Sequence, residues 1–166
     1  VVDVRWGIVV FHELLVRLRD ASGGIVGPGE FLDVAEDTGL IRDIDAWVSE
    51  QAIGYVLRAR ERGEARRLAV NLSARTLGSE SFWTWLLARV GSAGLPPRAL
   101  IFEITETAAL ALSGPVQDAI RSLRALGCSF ALDDFGAGFS SFARLRELPV
   151  DYIKIAGQFV RDLAAR

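Results

Sequence analysis

Polar groups recur at the ends of short apolar strands, one strand-plus-helix apart, and that recurrence limits the possible folds more than any other feature of the chain. Asn71 ends the apolar run that starts at Leu68, Glu103 follows Leu100-Ile-Phe, and Asp133-Asp134 follow the run from Cys128 to Leu132; the steps are 32 and 30 residues. Each step has room for one strand, one helix and their connections. Successive parallel strands therefore bring these groups to the same rim. Lys154 lies near the end of a further strand expected over Val150 to Ile155, which Pro149 separates from the element before it.

Helical periodicity fills the intervals. The spacing predicts a long helix from about Arg42 to Arg62, with Ile44, Trp47, Val48, Ala52, Tyr55, Val56 and Ala59 on one side and Gly63 as its cap. Ser79 is placed to cap a helix carrying Phe82, Trp85, Leu86 and Val90 that ends near Gly94, and another covers about Pro115 to Leu126. Phe31, Val34 and Ala35 mark an earlier helix stopped by Gly39, and Ser141 to Leu148 a short later one. At the start, Val1 to Val4 and Ile8 to Val16 read as strands around an Arg5-Trp6-Gly7 turn, with further turns at Ser22-Gly23-Gly24 and Pro28-Gly29. Helices covering a mostly parallel sheet are the physical solution to this α/β pattern.

At 166 residues the chain fits one domain, and such a domain can bury roughly 70% of its unfolded surface without a staple. A single cysteine, Cys128, excludes an internal disulfide, and with one histidine, His12, it leaves no Cys/His zinc site. A formal net charge of -2 gives no electrostatic basis for binding duplex nucleic acid or an anionic membrane. The arginines at 58, 60, 62, 66 and 67 are interrupted by Glu61 and Glu64 and read as a solvated helix end. With no run of eighteen apolar residues and no signal-peptide pattern, the expected location is the cytoplasm. The chain contains no methionine, even at residue 1, so it is expected to be a piece of a longer protein.

The rim has its own chemistry. Four polar groups on consecutive strands suit a barrel mouth, where side chains converge; along a flat sheet the outer pair would stand more than ~10 Å apart at ~4.8 Å per strand. Glu13, inside the early apolar stretch, is a further candidate. Glu13, Glu103, Asp133 and Asp134 side by side would have to protonate in part, because like charges in a shared site raise one another's pKa. Hard divalent cations remove that conflict, and Asn71 adds a neutral oxygen, so magnesium or manganese is favoured over zinc. Adjacent aspartates can serve two metals, which fits phosphodiester cleavage. The same groups with a lysine base also fit proton abstraction beside a carboxylate.

Arg17 lies four residues after Glu13, so on a strand it shares a face with Glu13 and can approach a phosphate; its alternative is an ion pair with Asp20. His12 faces the other way and reads as structural. Gly136 and Gly138 either open backbone amides toward an anion or supply a flexible turn. Trp47, Trp83 and Trp85 read as helix-packing residues, with Trp83 the one placed for exposure.

These residues fall within a longer series of motifs: Glu13-Leu-Leu-Val-Arg17, Pro28-Gly-Glu-Phe31, Ala35-Glu-Asp-Thr-Gly-Leu-Ile41, Asn71-Leu-Ser73, Glu103-Ile-Thr-Glu106, Asp133-Asp-Phe-Gly-Ala-Gly-Phe-Ser-Ser141 and Tyr152-Ile-Lys-Ile155. In that order they resemble the EAL domain, the cyclic di-GMP-specific phosphodiesterase family, over essentially the whole chain. The resemblance implies a modified (βα)8 TIM-type barrel whose first strand is antiparallel, incomplete over 1–166 and forming a single domain. It implies hydrolysis of cyclic di-GMP to linear pGpG with Mg2+ or Mn2+, two ions per active site. By the same resemblance Glu13, Asn71, Glu103, Asp133 and Asp134 hold metal, and Lys154 contacts or orients the attacking water. Arg17, Leu15 and Asp134 contact substrate. Glu106, Gly136 and Gly138 support the loop after Asp134, which is similar to the family segment linking metal binding to dimerisation. A homodimer, a fused sensory or GGDEF-type domain, and a place in the cytoplasmic part of a larger membrane-associated protein are also implied.

Two departures from the family pattern bear on activity. The usual Lys-Ile-Asp is Lys154-Ile155-Ala156 here, and the sequence stops before the family's Ala-Glu-Gly-Val-Glu-like motif and late glutamine. The alternative reading is therefore a weakly active or inactive module that binds cyclic di-GMP or a protein partner. A scaffold binding neither metal nor nucleotide is the third.

Overall fold

The structure is a computed structural model, and it describes residues 1–136 and 148–159. Its centre is a five-stranded parallel sheet in the order β3 (His12–Leu14), β6 (Leu68–Asn71), β7 (Leu100–Thr105), β8 (Ser129–Phe135) and β9 (Tyr152–Ile155). The order is that of the sequence, as expected when each crossover returns the chain to the next strand position. Two small antiparallel ribbons flank the strand of Glu13: β1 (Val2–Asp3) pairs β2 (Ile8–Val9), and β4 (Leu18–Arg19) pairs β5 (Ile25–Val26). The first strand of the chain, β1, runs antiparallel to β2 in its own ladder, whereas the strand carrying Glu13 is parallel to β6.

Side chains alternate across each strand, and the two faces have different duties. On the outer face Leu68, Val70, Leu100, Phe102, Ile104, Phe130 and Leu132 join the main core. There they meet Ala52, Ile53 and Val56 of α2 (Ile41–Glu61), Leu86 and Val90 of α4 (Glu80–Ala93), and Ile120 and Leu123 of α6 (Gly114–Ala125). On the inner face Phe11, Ala69, Ile101 and Ala131 form a second buried cluster with Val10 and Tyr152. Two residues further along each strand, on that same inner face, stand Glu13, Asn71, Glu103, Asp133 and Lys154. The inner surface is therefore apolar at one level and ionic at the next, roughly 6–7 Å higher given the rise per residue.

Three helix starts are fixed by hydroxyl caps that satisfy otherwise orphaned amides. Ser73 accepts from the Thr76 N–H at the start of α3 (Ala74–Leu77), Ser79 from Phe82 at the start of α4, and Thr105 from Ala108 at the start of α5 (Glu106–Leu110). The helix α1 (Pro28–Thr38) ends on Gly39 in the left-handed conformation, φ 80°. That turn feeds directly into α2.

Several sequence expectations change. Ile8 to Val16 is not one strand, because β2 pairs with β1 and only His12–Leu14 enters the main sheet. β8 continues to Phe135, so Asp133-Asp134 lies within a strand rather than after one. Trp83 is the buried tryptophan, its indole N–H donating to the Leu77 carbonyl at 2.9 Å, whereas Trp47 is 58% exposed. His12 is exposed. α5 had no periodic signal, being only five residues long. The helix expected over 141–148 and the glycine at 138 lie outside the described residues, Leu148 apart. Among the described residues no helix is long and apolar enough to cross a membrane.

Candidate active site

Lys154 projects from β9 into a ring of carboxylates. Its ammonium stands 2.7 Å from Glu103 on β7, 3.2 Å from Glu13 on β3 and 3.3 Å from Asp133 on β8. Asn71 on β6 donates from its amide to Glu13 Oε1 at 3.0 Å. All five neighbouring strands thus contribute one group, and the 30-residue sequence step has become a few ångströms. Register explains the convergence. Asn71 pairs with Glu103 directly, while Glu13 pairs with Ala69 and Glu103 with Ala131, so the polar groups are staggered around a curled surface instead of standing in a flat row.

Burial divides the carboxylates. Glu103 is 1% exposed, and its Oε1 has no hydrogen-bond partner among the described residues. Burial pushes the Glu103 carboxyl above its ordinary pKa, with the charges of Glu13 and Asp133 adding to the rise and Lys154 opposing it. At Glu13 burial also pulls upward, but the Asn71 amide and the Lys154 charge outweigh it and hold the carboxyl below its usual range. For Lys154 burial lowers the pKa, yet the hydrogen bond to Glu103 and the surrounding charges win, leaving the ammonium firmly protonated. Three carboxylates against one ammonium leave a formal charge of two negative when all are ionised.

The donor set is hard oxygen throughout, its three carboxylates supply the negative charge that a divalent cation calls for, and Glu103 Oε1 is an unused buried acceptor. On those three counts the residues fit a magnesium or manganese ion. Among the described residues no three carboxylate, imidazole or thiol groups stand in a ligand shell as they are, because Lys154 lies between them. Asp134 is not one of the three carboxylates around Lys154. It is exposed, with a left-handed backbone (φ 53°) and its N–H donating to Asp133 Oδ1.

A cleft of about 360 Å³ opens from this ring. Asn71, Glu103, Asp133 and Asp134 line it together with Leu15, Arg17, Leu32, Glu36, Ile44 and Asp45. Arg17 is exposed and donates to the Val16 carbonyl, not to Asp20, whose Oδ1 accepts from Ser22 and Gly24. Glu106 is buried and accepts the Gly136 N–H at 2.8 Å, tying down the turn after Asp134. Gly136 itself needs its freedom: φ is 93°, and an added Cβ would come within 2.8 Å of Phe159.

Sequence reasoning missed Asp45. It sits in α2, only 6% exposed, and its Oδ2 accepts the Ser73 N–H at 2.8 Å beside the strand end that carries Asn71. The available signal was an acid between Ile44 and Val48 on the helix's apolar side.

Comparison with known proteins gives concordant results. Cyclic di-GMP phosphodiesterase PdeB of Shewanella oneidensis is 39% identical over 152 residues, covering 92% of this chain and 18% of that protein. Among solved structures, the PaMucR phosphodiesterase in complex with c-di-GMP superposes with TM-score 0.82 at 34% identity, over 93% of this chain and 63% of the other. The FimX EAL domain from Pseudomonas aeruginosa bound to c-di-GMP gives 0.81 at 34% identity, over 92% and 61%. The chain therefore spans about a fifth of the length of PdeB and under two thirds of either solved chain. The sequence matches the family described as EAL domain from residue 1 to residue 166, and on that match this chain belongs to the EAL domain family.

Proposed function

We propose that this chain is the metal-binding part of a cyclic di-GMP phosphodiesterase, which hydrolyses its substrate to linear pGpG with magnesium or manganese. The observation that carries the reading is the meeting of Glu13, Glu103 and Asp133 on one ammonium, beside a cleft that also presents Arg17. In this reading Glu13, Asn71, Glu103 and Asp133 hold the first ion, and Asp134 at the exposed lip serves the second. The ions, when bound, supply Lewis-acid activation of water and charge stabilisation at the phosphoryl group. The chain's own residues do the remaining work. Arg17 pairs with a phosphate oxygen in the cleft, and Leu15 and Leu32 give the substrate an apolar wall. Lys154 presents a permanent positive charge toward the attacked phosphate and orients the attacking water. Glu106 and Gly136 fix the turn that sets Asp133 and Asp134 in place.

The homologous PdeB and PaMucR proteins, both named as phosphodiesterases, support the substrate and the reaction class. A homodimer and a fused sensory or GGDEF-type domain belong to the same proposal. The loop after Asp134, assigned to dimerisation, lies outside the described residues. Glu13→Ala is expected to abolish Mn2+-dependent cleavage of cyclic di-GMP by the whole protein while leaving its circular dichroism unchanged. Retained turnover in that variant would remove Glu13 from the metal shell and the proposal with it.

A second reading, a module that binds cyclic di-GMP but hydrolyses little, is favoured by Ala156. It is buried at 5% exposure, on the same side of the chain as Lys154, where the family pattern carries an acid. Ala156→Asp is expected to tighten Mn2+ binding. If calorimetry shows no change in affinity, the missing acid is not what limits the site.

A further inference from the structure

Two cations would share one set of carboxylates in this site. Lys154 Nζ contacts Glu103 Oε2 at 2.7 Å and reaches Glu13 and Asp133 within 3.3 Å, so it occupies the middle of the three carboxylates. A magnesium ion needs oxygens at about 2.0–2.1 Å in near-octahedral array. The ammonium lies on one oxygen of each carboxylate, and an ion drawn to the remaining ones, Glu103 Oε1 among them, would stand a few ångströms from a positive charge that repels it in a half-buried site. With neither cation present the three carboxylates would have to repel one another or take up protons. Glu103 is buried, and Glu13 and Asp133 crowd the same ammonium, so removing it would leave buried negative charge without a partner.

We propose that Lys154 is a resident counter-cation: it holds the Glu13–Glu103–Asp133 cluster assembled without an ion, and must leave Glu103 when a divalent ion enters. The displacement half of this inference rests on the metal reading above; the counter-cation half does not. The lysine is suited to the exchange. Its side chain is 25% exposed, so the ammonium has solvent within reach. Its flexible stem needs no backbone change. Once displaced it stands beside the phosphate position, which is where the proposed reaction needs a positive charge. Metal affinity is thereby set partly by a lysine that ligates nothing.

The test compares wild type and Lys154→Met in the whole protein, by thermal unfolding in chelator and by calorimetric titration with manganese. The variant is expected to melt well below wild type in chelator. With saturating manganese the gap should close, and the ion should bind about tenfold tighter to the variant. Equal melting in chelator overturns the counter-cation. Unchanged or weaker manganese affinity in the variant overturns the displacement. If neither protein binds manganese while the variant is destabilised in chelator, the metal reading and the displacement fall together and the counter-cation stands. Should Lys154→Met not fold in chelator, Glu103→Gln combined with it decides. The double variant removes the stranded charge and is expected to recover stability; if it remains as unstable as the single variant, the counter-cation is wrong.

Discussion

At the scale of single residues, the site depends on acids placed where water is scarce. Asp45 shows the effect outside the carboxylate ring. Burial pushes its carboxyl above the ordinary value, opposed by hydrogen bonds from Ser73 and Thr76, with Glu36 adding a smaller upward push. The folded protein therefore holds this proton more tightly than the unfolded chain. Asp45 favours folding fully below its unfolded pKa, and that contribution declines as pH climbs through its folded value. Asp45→Asn keeps an oxygen for the Ser73 N–H and removes the charge. We expect it to flatten the stability profile on the alkaline side of the carboxylate range, measured by urea unfolding at a series of pH values; a variant profile parallel to wild type would show Asp45 to be an ordinary carboxylate. Gly136 is the opposite case, a residue chosen for what it lacks. Gly136→Ala combines a left-handed backbone with a contact to Phe159 and should cost about 1–3 kcal/mol of unfolding free energy. A loss below half a kcal/mol would mean that the turn relaxes.

Among the elements, helices and strands were unequally legible. The stripes of α2, α4 and α6 announce themselves by period, Ser79 caps the start of α4, and Gly63 lies just past the end of α2. Short elements carry too few residues for a period to show, which is why α3, α5 and the β4–β5 ribbon have no clear signal. The tryptophans in the periodic helices were legible as a class but not one by one. A stripe gives a face, and which part of that face another element covers depends on the neighbouring helix. Contacts between elements are likewise absent from any local pattern, as with the Arg89–Glu50 pair between α4 and α2 at 2.8 Å. The Arg89 hydrogen bond holds the Glu50 carboxyl below its usual range, so its contribution is present above the unfolded carboxylate pKa and fades as pH falls through the folded value. The pair is substantially solvated, so Arg89→Ala should cost only about 0.2–1 kcal/mol, less in high salt. Denaturation at two ionic strengths checks this, and a larger, salt-independent loss would assign the effect to packing.

Across the whole molecule, stability is concentrated in the middle of the sheet. β6, β7 and β8 are buried on both faces, while the β1–β2 and β4–β5 ribbons expose Val2, Ile8, Leu18 and Ile25 and rest on few long-range contacts. Amide exchange is expected to be slowest at Val70, Phe102 and Phe130 and fastest in the two ribbons, in order of local opening free energy. Uniform protection would contradict that hierarchy. The sequence by itself determined the alternation of strand and helix, the rim residues and their oxygen chemistry, because strand period, helix period and spacing are local properties of the chain. Only the tertiary structure decided that Lys154 stands inside the carboxylate ring, that Asp134 stays outside it and that Asp45 closes the cleft wall. Those outcomes follow from strand stagger and curvature, which are set by how five strands and their covering helices pack together, and no single segment encodes them.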